Sequence, residues 1–373
     1  MSTKEMINSY QLTIMVALIT IGDAILVLPA SVAIVAKQDA WISMLLSLLF
    51  GSLVVLLFVK VSKLQSNLSF VQVILKILGK PIGSIVVMFF LLYLLLSVSI
   101  LLRELGDFIT THILLQTPTK VINLLFVTVL VFGVRSGLAT LARVSEVFYP
   151  VVFLFLVTLF TLVLPSIQIE WIRPFLEHGF KPVINGTIIA TSFPFMELIV
   201  ILMFIPNILK KNKFRKNFLT GALFGGTALF INVLLCTIVL GVPTTIRNVY
   251  PTFILARSIS VGHSIQRIEG LIAIFWMITV FIKITLYSYA FHIGVKQLFN
   301  LKNYRQLTYP FGFILFGTSI LVASNYTEYS EIISKYWSYY DMTVAIFIPF
   351  LLIIVSMFRK KTNPQKNKQQ KKA

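Results

Sequence analysis

Residues 12–35 read LTIMVALITIGDAILVLPASVAIV, an apolar run interrupted by Gly22-Asp23 and again by Pro29. Five apolar stretches further on, residues 182–208 read PVINGTIIATSFPFMELIVILMFIPNI, interrupted at Ser192-Phe193-Pro194 and followed at once by Glu197. A glycine beside a carboxylate, or a proline followed by one, is poor material for a plain lipid-facing helix. Proline removes a backbone donor and clashes with the preceding turn, and an unsatisfied backbone group in hydrocarbon is expensive. Such interruptions persist where the freed carbonyls, amides and half-helix ends face a buried cavity. When they occupy corresponding places in two halves of a chain, they point to a transporter-type binding site at the bilayer midplane.

Composition sets the class. The 373 residues are 57% hydrophobic and only 12% charged, with a mean hydropathy of +0.91. A soluble domain carries about 25% charged residues, so the chain reads as an integral membrane protein. A net charge of +19 would suit nucleic acid. Its placement argues for lipid instead, because the basic residues fall between apolar runs and in a C-terminal tail, as topology signals do. The single cysteine, Cys236, lies in an apolar run, which excludes a disulfide framework and leaves a packing role. Residues 1–10 are polar and lack a small-residue cleavage site, so the first apolar stretch is expected to be a retained span.

A span needs roughly 20 apolar residues. Stretches of that kind fall near 11–35, 40–62, 82–112, 119–134, 146–165, 183–208, 217–241, 265–298, 307–324 and 341–358. The expectation is an all-α membrane protein of ten transmembrane helices in a 5+5 inverted repeat, with helices 1 and 6 discontinuous. The first repeat covers about 11–165 and the second about 183–358; the repeat is structural, since no internal sequence repeat is visible. Lys60, Lys63, Lys76, Lys80, Arg135, Arg143 and the run from Lys210 to Lys216 share one side of these spans with residues 359–372. Positive charge collects on the cytoplasmic side, so both termini are expected there. Residues 67–80 alternate apolar and basic positions at helical spacing and read as a short interfacial helix. Residues 166–182 leave room for a small re-entrant or surface helix, and 241–264 are apolar enough to be a lid or an inert cap over the outer vestibule. The tail, 359–373, is too polar to bury and is expected to be disordered against anionic lipid.

Charges at membrane depth cost about 2.5–3.5 kcal/mol each and are usually functional. The candidates are Asp23, Arg103, Glu104, Asp107, Glu146, Glu197 and Lys283. Arg103 and Asp107 stand one turn apart and can pair, whereas Glu104 turns away and is the better candidate for a cavity wall. Asp23 is either a polar wall of the site or a cap on the second half-helix. Glu197 falls in the first turn after Pro194, where a helix N-terminus favours a carboxylate. Lys283 lies within a turn or so of Tyr287 and Ser288. It is either an amine snorkelling to the interface or a fixed cation beside the first break, filling the place a coupling sodium takes in other transporters with paired broken helices. His112, His178, His263 and His292 share no ligand spacing with acids or with Cys236, so no metal site is expected. Nucleotide loops and nucleophile triads are absent, so neither a cofactor nor an enzyme is expected. Asn325-Tyr326-Thr327 matches a glycosylation acceptor pattern that carries no meaning outside a secretory eukaryotic setting.

The order of motifs along the chain resembles a known family. Gly22 to Pro29 is followed by Ser69-Phe70, Leu78-Gly79-Lys80 and Ile82-Gly83, then by Thr117-Pro118 with Val121-Ile122. Arg173-Pro174, Gly179 and Pro182 precede Ser192-Phe193 and Met196-Glu197, and Tyr250-Pro251-Thr252 and Arg267-Ile268-Glu269 with Trp276 follow. Together these resemble the B subunit of the nutrient-germinant receptors of bacterial endospores, within the amino acid-polyamine-organocation transporter superfamily. The resemblance implies an inner spore membrane location, a small germinant such as an amino acid bound at the midplane, and partner A and C subunits. It also implies ligand contacts from Gly22, Asp23 and Ala24, and from Ser192, Phe193, Phe195, Met196 and Glu197, closed by Glu104, Lys283 and Tyr287. One departure stands out: many relatives have glycine where Phe195 stands, so the cavity here is expected to be smaller or re-aimed. The alternative reading is a proton-coupled amino acid permease working through Glu197 or Asp23.

Overall fold

The computed structural model describes residues 5–259, 268–323 and 336–362. Among them the regular structure is helical apart from one isolated parallel bridge, Ile7 with Ile208. Eight helical stretches are long and apolar enough to cross a membrane, with Ala24–Ser62 counted as one of them. Two further segments expected as spans are shorter, α1 (Ser9–Ile21) and α13 (Thr308–Leu321).

The first segment breaks where its sequence says it should. Asn8 and Gln11 close a capping box at the start of α1, which satisfies two of the orphan amides of a first turn. The helix ends at Ile21 because Gly22 adopts φ 28°, ψ −125°, a backbone state that a side chain would strain. Then α2 (Ala24–Ala36) begins. Pro29 within α2 has no amide to offer the carbonyl four residues earlier. That carbonyl, on Ile25, accepts instead from Asn232 Nδ2 at 2.8 Å and Thr252 Oγ1 at 2.6 Å.

The sixth segment is discontinuous in a different way from the first. Here α8 (Phe180–Phe195) runs through Pro194, and a 3-10 helix over Met196–Asn207 continues it for 12 residues. The Met196 amide donates to the carbonyls of both Ser192 and Thr191 at the junction, so the chain changes pitch without losing its ladder. Runs of 3-10 helix beyond three or four residues are uncommon and mark hinges or strain. The discontinuity is a change of helix type, and every residue from Met196 to Ile205 is buried.

Around this pair, α3 (Ala40–Ser62) packs on α8, α9 (Phe214–Leu235) packs on α1, and α5 (Lys80–His112) lies along α12 (Ile268–Leu298), while α6 (Thr119–Ser136) packs on α13 and α7 (Leu138–Val163) on α1 and α12. The short helix expected within residues 67–80 appears as α4 (Phe70–Leu78), capped by Ser69 and Gln72, with Phe70, Val71, Val73, Ile74 and Ile77 buried. Residues 166–182 hold a short 3-10 turn, Ile169–Ile172, in place of a surface α-helix. The long connection after α9 contains α10 (Gly241–Arg247) and α11 (Pro251–Arg257), and α11 packs against α2 and α12. The final segment, residues 336–362, is α-helical over Ser338–Met342 and Ile348–Thr362 with a π-helical stretch at Thr343–Phe347 between them, so residues 359–362 extend a helix and do not begin the tail. Residues 363–373, Asn325-Tyr326-Thr327, His263 and the last five residues of the expected lid lie outside the described residues. At the opposite end of the sixth segment, the Ile7 amide donates to Asn207 O at 2.8 Å and the Leu209 amide to Ile7 O at 3.1 Å. The start of the chain is thereby strapped to the exit of the 3-10 helix.

Candidate functional site

One stripe of α12 faces the first break. Trp276, Thr279, Lys283 and Tyr287 follow at spacings of three, four and four, which places them on one helical face. Thr279 Oγ1 donates to Gly22 O at 3.1 Å, and Trp276 Nε1 donates to Asp23 O at 3.4 Å. Carbonyls freed where α1 stops are thus satisfied by side chains, as membrane depth demands. The Lys283 ammonium donates to Asp23 Oδ1 and pairs with Glu197 Oε2 at 2.5 Å. Tyr287 OH donates to Glu197 O at 2.7 Å. A single cation therefore bridges the break of the first segment to the pitch change of the sixth.

These groups are sealed from solvent: Lys283 is 1% exposed, Asp23 3% and Glu197 4%. Snorkelling is thereby ruled out for Lys283. The Asp23 side chain makes no cap hydrogen bond to α2; its carboxylate is committed to the lysine. An ion pair in low dielectric needs both close geometry and further hydrogen bonds to offset desolvation, and here Trp337 Nε1 reaches Glu197 Oε1 at 3.4 Å. The lysine also fills the break, because a Cβ placed on Gly22 would meet Lys283 Cδ at 2.8 Å.

A second carboxylate layer adjoins the first. Asp341, fully buried, accepts from Tyr93 OH at 2.9 Å and from Ser192 Oγ at 2.6 Å. The Tyr93 ring stacks on Trp337 with centroids 5.8 Å apart, which joins the two layers through the final segment. Asp341 was missing from the ionisable residues singled out in the sequence because it stands at the very first position of the last apolar stretch. Its cue was a carboxylate one residue after Tyr339-Tyr340.

The structure gathers Gly22, Asp23, Glu197, Lys283 and Tyr287 directly, and Ser192 through Asp341. Ala24 and Phe193 are buried beside them in sequence, and Glu104 is buried on α5. Phe195 and Met196 point elsewhere. The Phe195 ring sits in a cleft left by Gly51 on α3 and Gly226 on α9. Met196 lines an apolar groove of about 560 Å³ with Thr191, Phe50, Met342 and Phe350. The physical reason is helical rotation: Phe195 and Met196 lie on other faces of the segment than Ser192 and Glu197. Phe195 therefore fills a helix-packing gap between α3 and α9.

Above the break, Trp276 lies under an aromatic layer. Phe108 stands 4.7 Å from its ring and 5.0 and 5.5 Å from Tyr250 and Phe253. Beyond it, a cavity of about 410 Å³ is lined by Arg103, Asp107, His112 and Arg247, with Arg103 and Asp107 paired at 2.7 Å. At the other end, a cavity of about 440 Å³ is lined by Glu5, Tyr289, Tyr304 and Arg305. The polar cluster is enclosed between the two. Among the described residues no group of three or more His, Cys, Asp and Glu side chains is placed to hold a metal. Cys236 is free and buried beside Thr252.

A broken first segment, a pitch-changing sixth and a buried polar cluster between them define an integral membrane protein of transporter-like fold. Two solved structures share that fold over nearly the whole chain. MhsT in complex with L-phenylalanine gives a TM-score of 0.65 at 12% identity, covering 95% of this chain and 99% of that one. Mhp1, a nucleobase-cation-symport-1 family transporter in a closed conformation with bromovinylhydantoin bound, gives 0.62 at 12% identity, covering 96% and 94%. The chain belongs to the spore germination protein family, whose profile matches residues 6–331. Similar curated proteins of Bacillus subtilis (strain 168) include spore germination protein KB, 27% identical over 362 residues and 96% of each chain. Spore germination protein A2 is 24% identical over 363 residues, 95% of this chain and 96% of that one.

Proposed function

We propose that this chain is the germinant-sensing subunit of a spore nutrient receptor. It binds a small nutrient, an amino acid, at the first break and signals to A and C partner subunits from the inner spore membrane, with both termini cytoplasmic. The observation that carries this reading is the Lys283 bridge between Asp23 and Glu197. An amino acid zwitterion presents both charges of the pair it would interrupt. Its carboxylate meets the Lys283 ammonium and the amides opening α2, and its ammonium meets Glu197 or Asp23. Inserting it separates the break from the sixth segment, and the ligand's differential affinity for the joined and separated states sets the response. No bond of the nutrient is made or broken in this scheme, so the activity is recognition and not catalysis.

The test is Gly22→Leu in spores that carry this receptor alone. A side chain at Gly22 collides with Lys283 and with Ile19 O at 2.9 Å, so membrane insertion should persist while germination on amino acids is lost. Germination unchanged in that variant refutes the placement. Accumulation of labelled amino acid by proteoliposomes holding this chain alone would favour the permease reading.

A further inference from the structure

We propose that Asp341 is a proton-binding site that governs how the final segment holds the sixth. The charge count around the break motivates it. Three buried carboxyl groups, Asp23, Glu197 and Asp341, surround one ammonium, Lys283. Among the described residues, the ion pairs of this region are the two made by Lys283, and Asp341 takes part in neither. With every group ionised, three negative charges against one positive leave a net charge of −2, a combination that membrane depth penalises heavily.

The three acids are not equivalent. Asp23 and Glu197 share the lysine, Asp23 also stands at the start of α2, whose dipole favours a carboxylate, and Glu197 also receives the Trp337 indole. Asp341 has two hydroxyl neighbours, Tyr93 and Ser192. Hydroxyls serve a neutral carboxylic acid as well as a carboxylate, because each can accept as well as donate. A proton on Oδ2 keeps the 2.6 Å contact with Ser192, with Asp341 now the donor. The titratable and charged groups facing Asp341 are Tyr93 on α5, Glu197 on the 3-10 stretch, and Lys283 and Tyr287 on α12. Only one of them is a cation, and it is already shared by two acids.

The placement gives the proton a consequence. The final segment grips the sixth on both sides of its pitch change, through Asp341 on Ser192 and Trp337 on Glu197. Loss of the proton sets a second negative charge beside Glu197 across that junction and loosens the grip. This deepens the sensing reading, since the proton sits on the same cluster, but its test needs no nutrient and stands or falls separately.

The experiment is infrared difference spectroscopy on full-length protein in phosphatidylcholine vesicles at neutral pH. The wild type should show a carbonyl stretch of a protonated carboxylic acid that shifts in heavy water. Asp341→Asn should remove that band, and Asp23→Asn should leave it. Tyr93→Phe, which keeps the ring stack but deletes one hydrogen bond, should shift it, and this variant reads the same carboxyl group if Asp341→Asn does not fold. A wild-type spectrum without the band, or a band unmoved by both Asp341→Asn and Tyr93→Phe, overturns the proposal. Gly22→Leu should keep the band even with germination lost, which separates the two readings.

Discussion

Replacing Lys283 by methionine isolates the electrostatics of the site. Methionine keeps most of the aliphatic stem that packs on Gly22 but removes the ammonium that both Asp23 and Glu197 share. Removing one partner of a buried pair costs about 3–5 kcal/mol, because it leaves an uncompensated charge. At about 2–4 °C per kcal/mol for a sizeable domain, that is a fall in Tm of roughly 6–20 °C. The assay is thermal unfolding of the detergent-purified protein followed by tryptophan fluorescence. The decisive comparison is the triple variant Asp23→Asn, Glu197→Gln, Lys283→Met, which deletes all three charges at nearly constant volume. Neutralising a whole buried network is often close to neutral in stability, so the triple variant should melt well above Lys283→Met alone. Groups in one network are expected to depart from additivity in this way. A single variant melting with the wild type, or a triple variant melting below the single one, would show that the lysine does not balance these carboxylates.

Two further substitutions probe the framework of the site. Thr252→Val and Asn232→Ala each remove one of two donors to Ile25 O. Each alone should cost about 1 kcal/mol, and the double variant should cost more than the sum because the carbonyl is then left without a side-chain donor; strictly additive melting temperatures would argue against a shared acceptor. Gly226→Ala places a Cβ 2.6 Å from Phe195 Cζ and should destabilise by about 1–3 kcal/mol. Adding Phe195→Leu should recover part of that loss, and a neutral Gly226→Ala would mean the ring is not seated in this cleft.

The first break was legible in the sequence because glycine and aspartate together both permit and reward an interruption. Lys283 was legible as a charge at depth, and its spacing to Tyr287 placed both on one face. The same periodicity would have added Trp276 and Thr279, whose polar atoms meet the freed carbonyls, had the stripe been followed toward the start of α12. The sixth segment was legible as a discontinuity, but the kind of discontinuity was not. Proline near the end of an α-helix need not unwind it, and whether the chain then opens or tightens into a 3-10 helix depends on packing that no local motif records. The partners of Ile25 O and the Asp341 layer were hidden for a related reason: each joins residues far apart in sequence, 207 residues for Asn232 and 149 for Ser192. Phe195 misled because Ser192 and Glu197, three residues before it and two after it, face the cluster while its own ring turns into the cleft between α3 and α9.

The tightened stretch after Phe195 also stores length. A 3-10 helix advances about 2.0 Å per residue against about 1.5 Å for an α-helix. Over the 12 residues from Met196 to Asn207, relaxing to the wider coil would retract the far end by about 6 Å. Because Ile7 is fastened to that end through its main chain, such a stroke would tug the amino-terminal strap along with it. A piston of that travel would carry an event at the membrane's middle to its surface with no rigid-body tilt of the surrounding bundle.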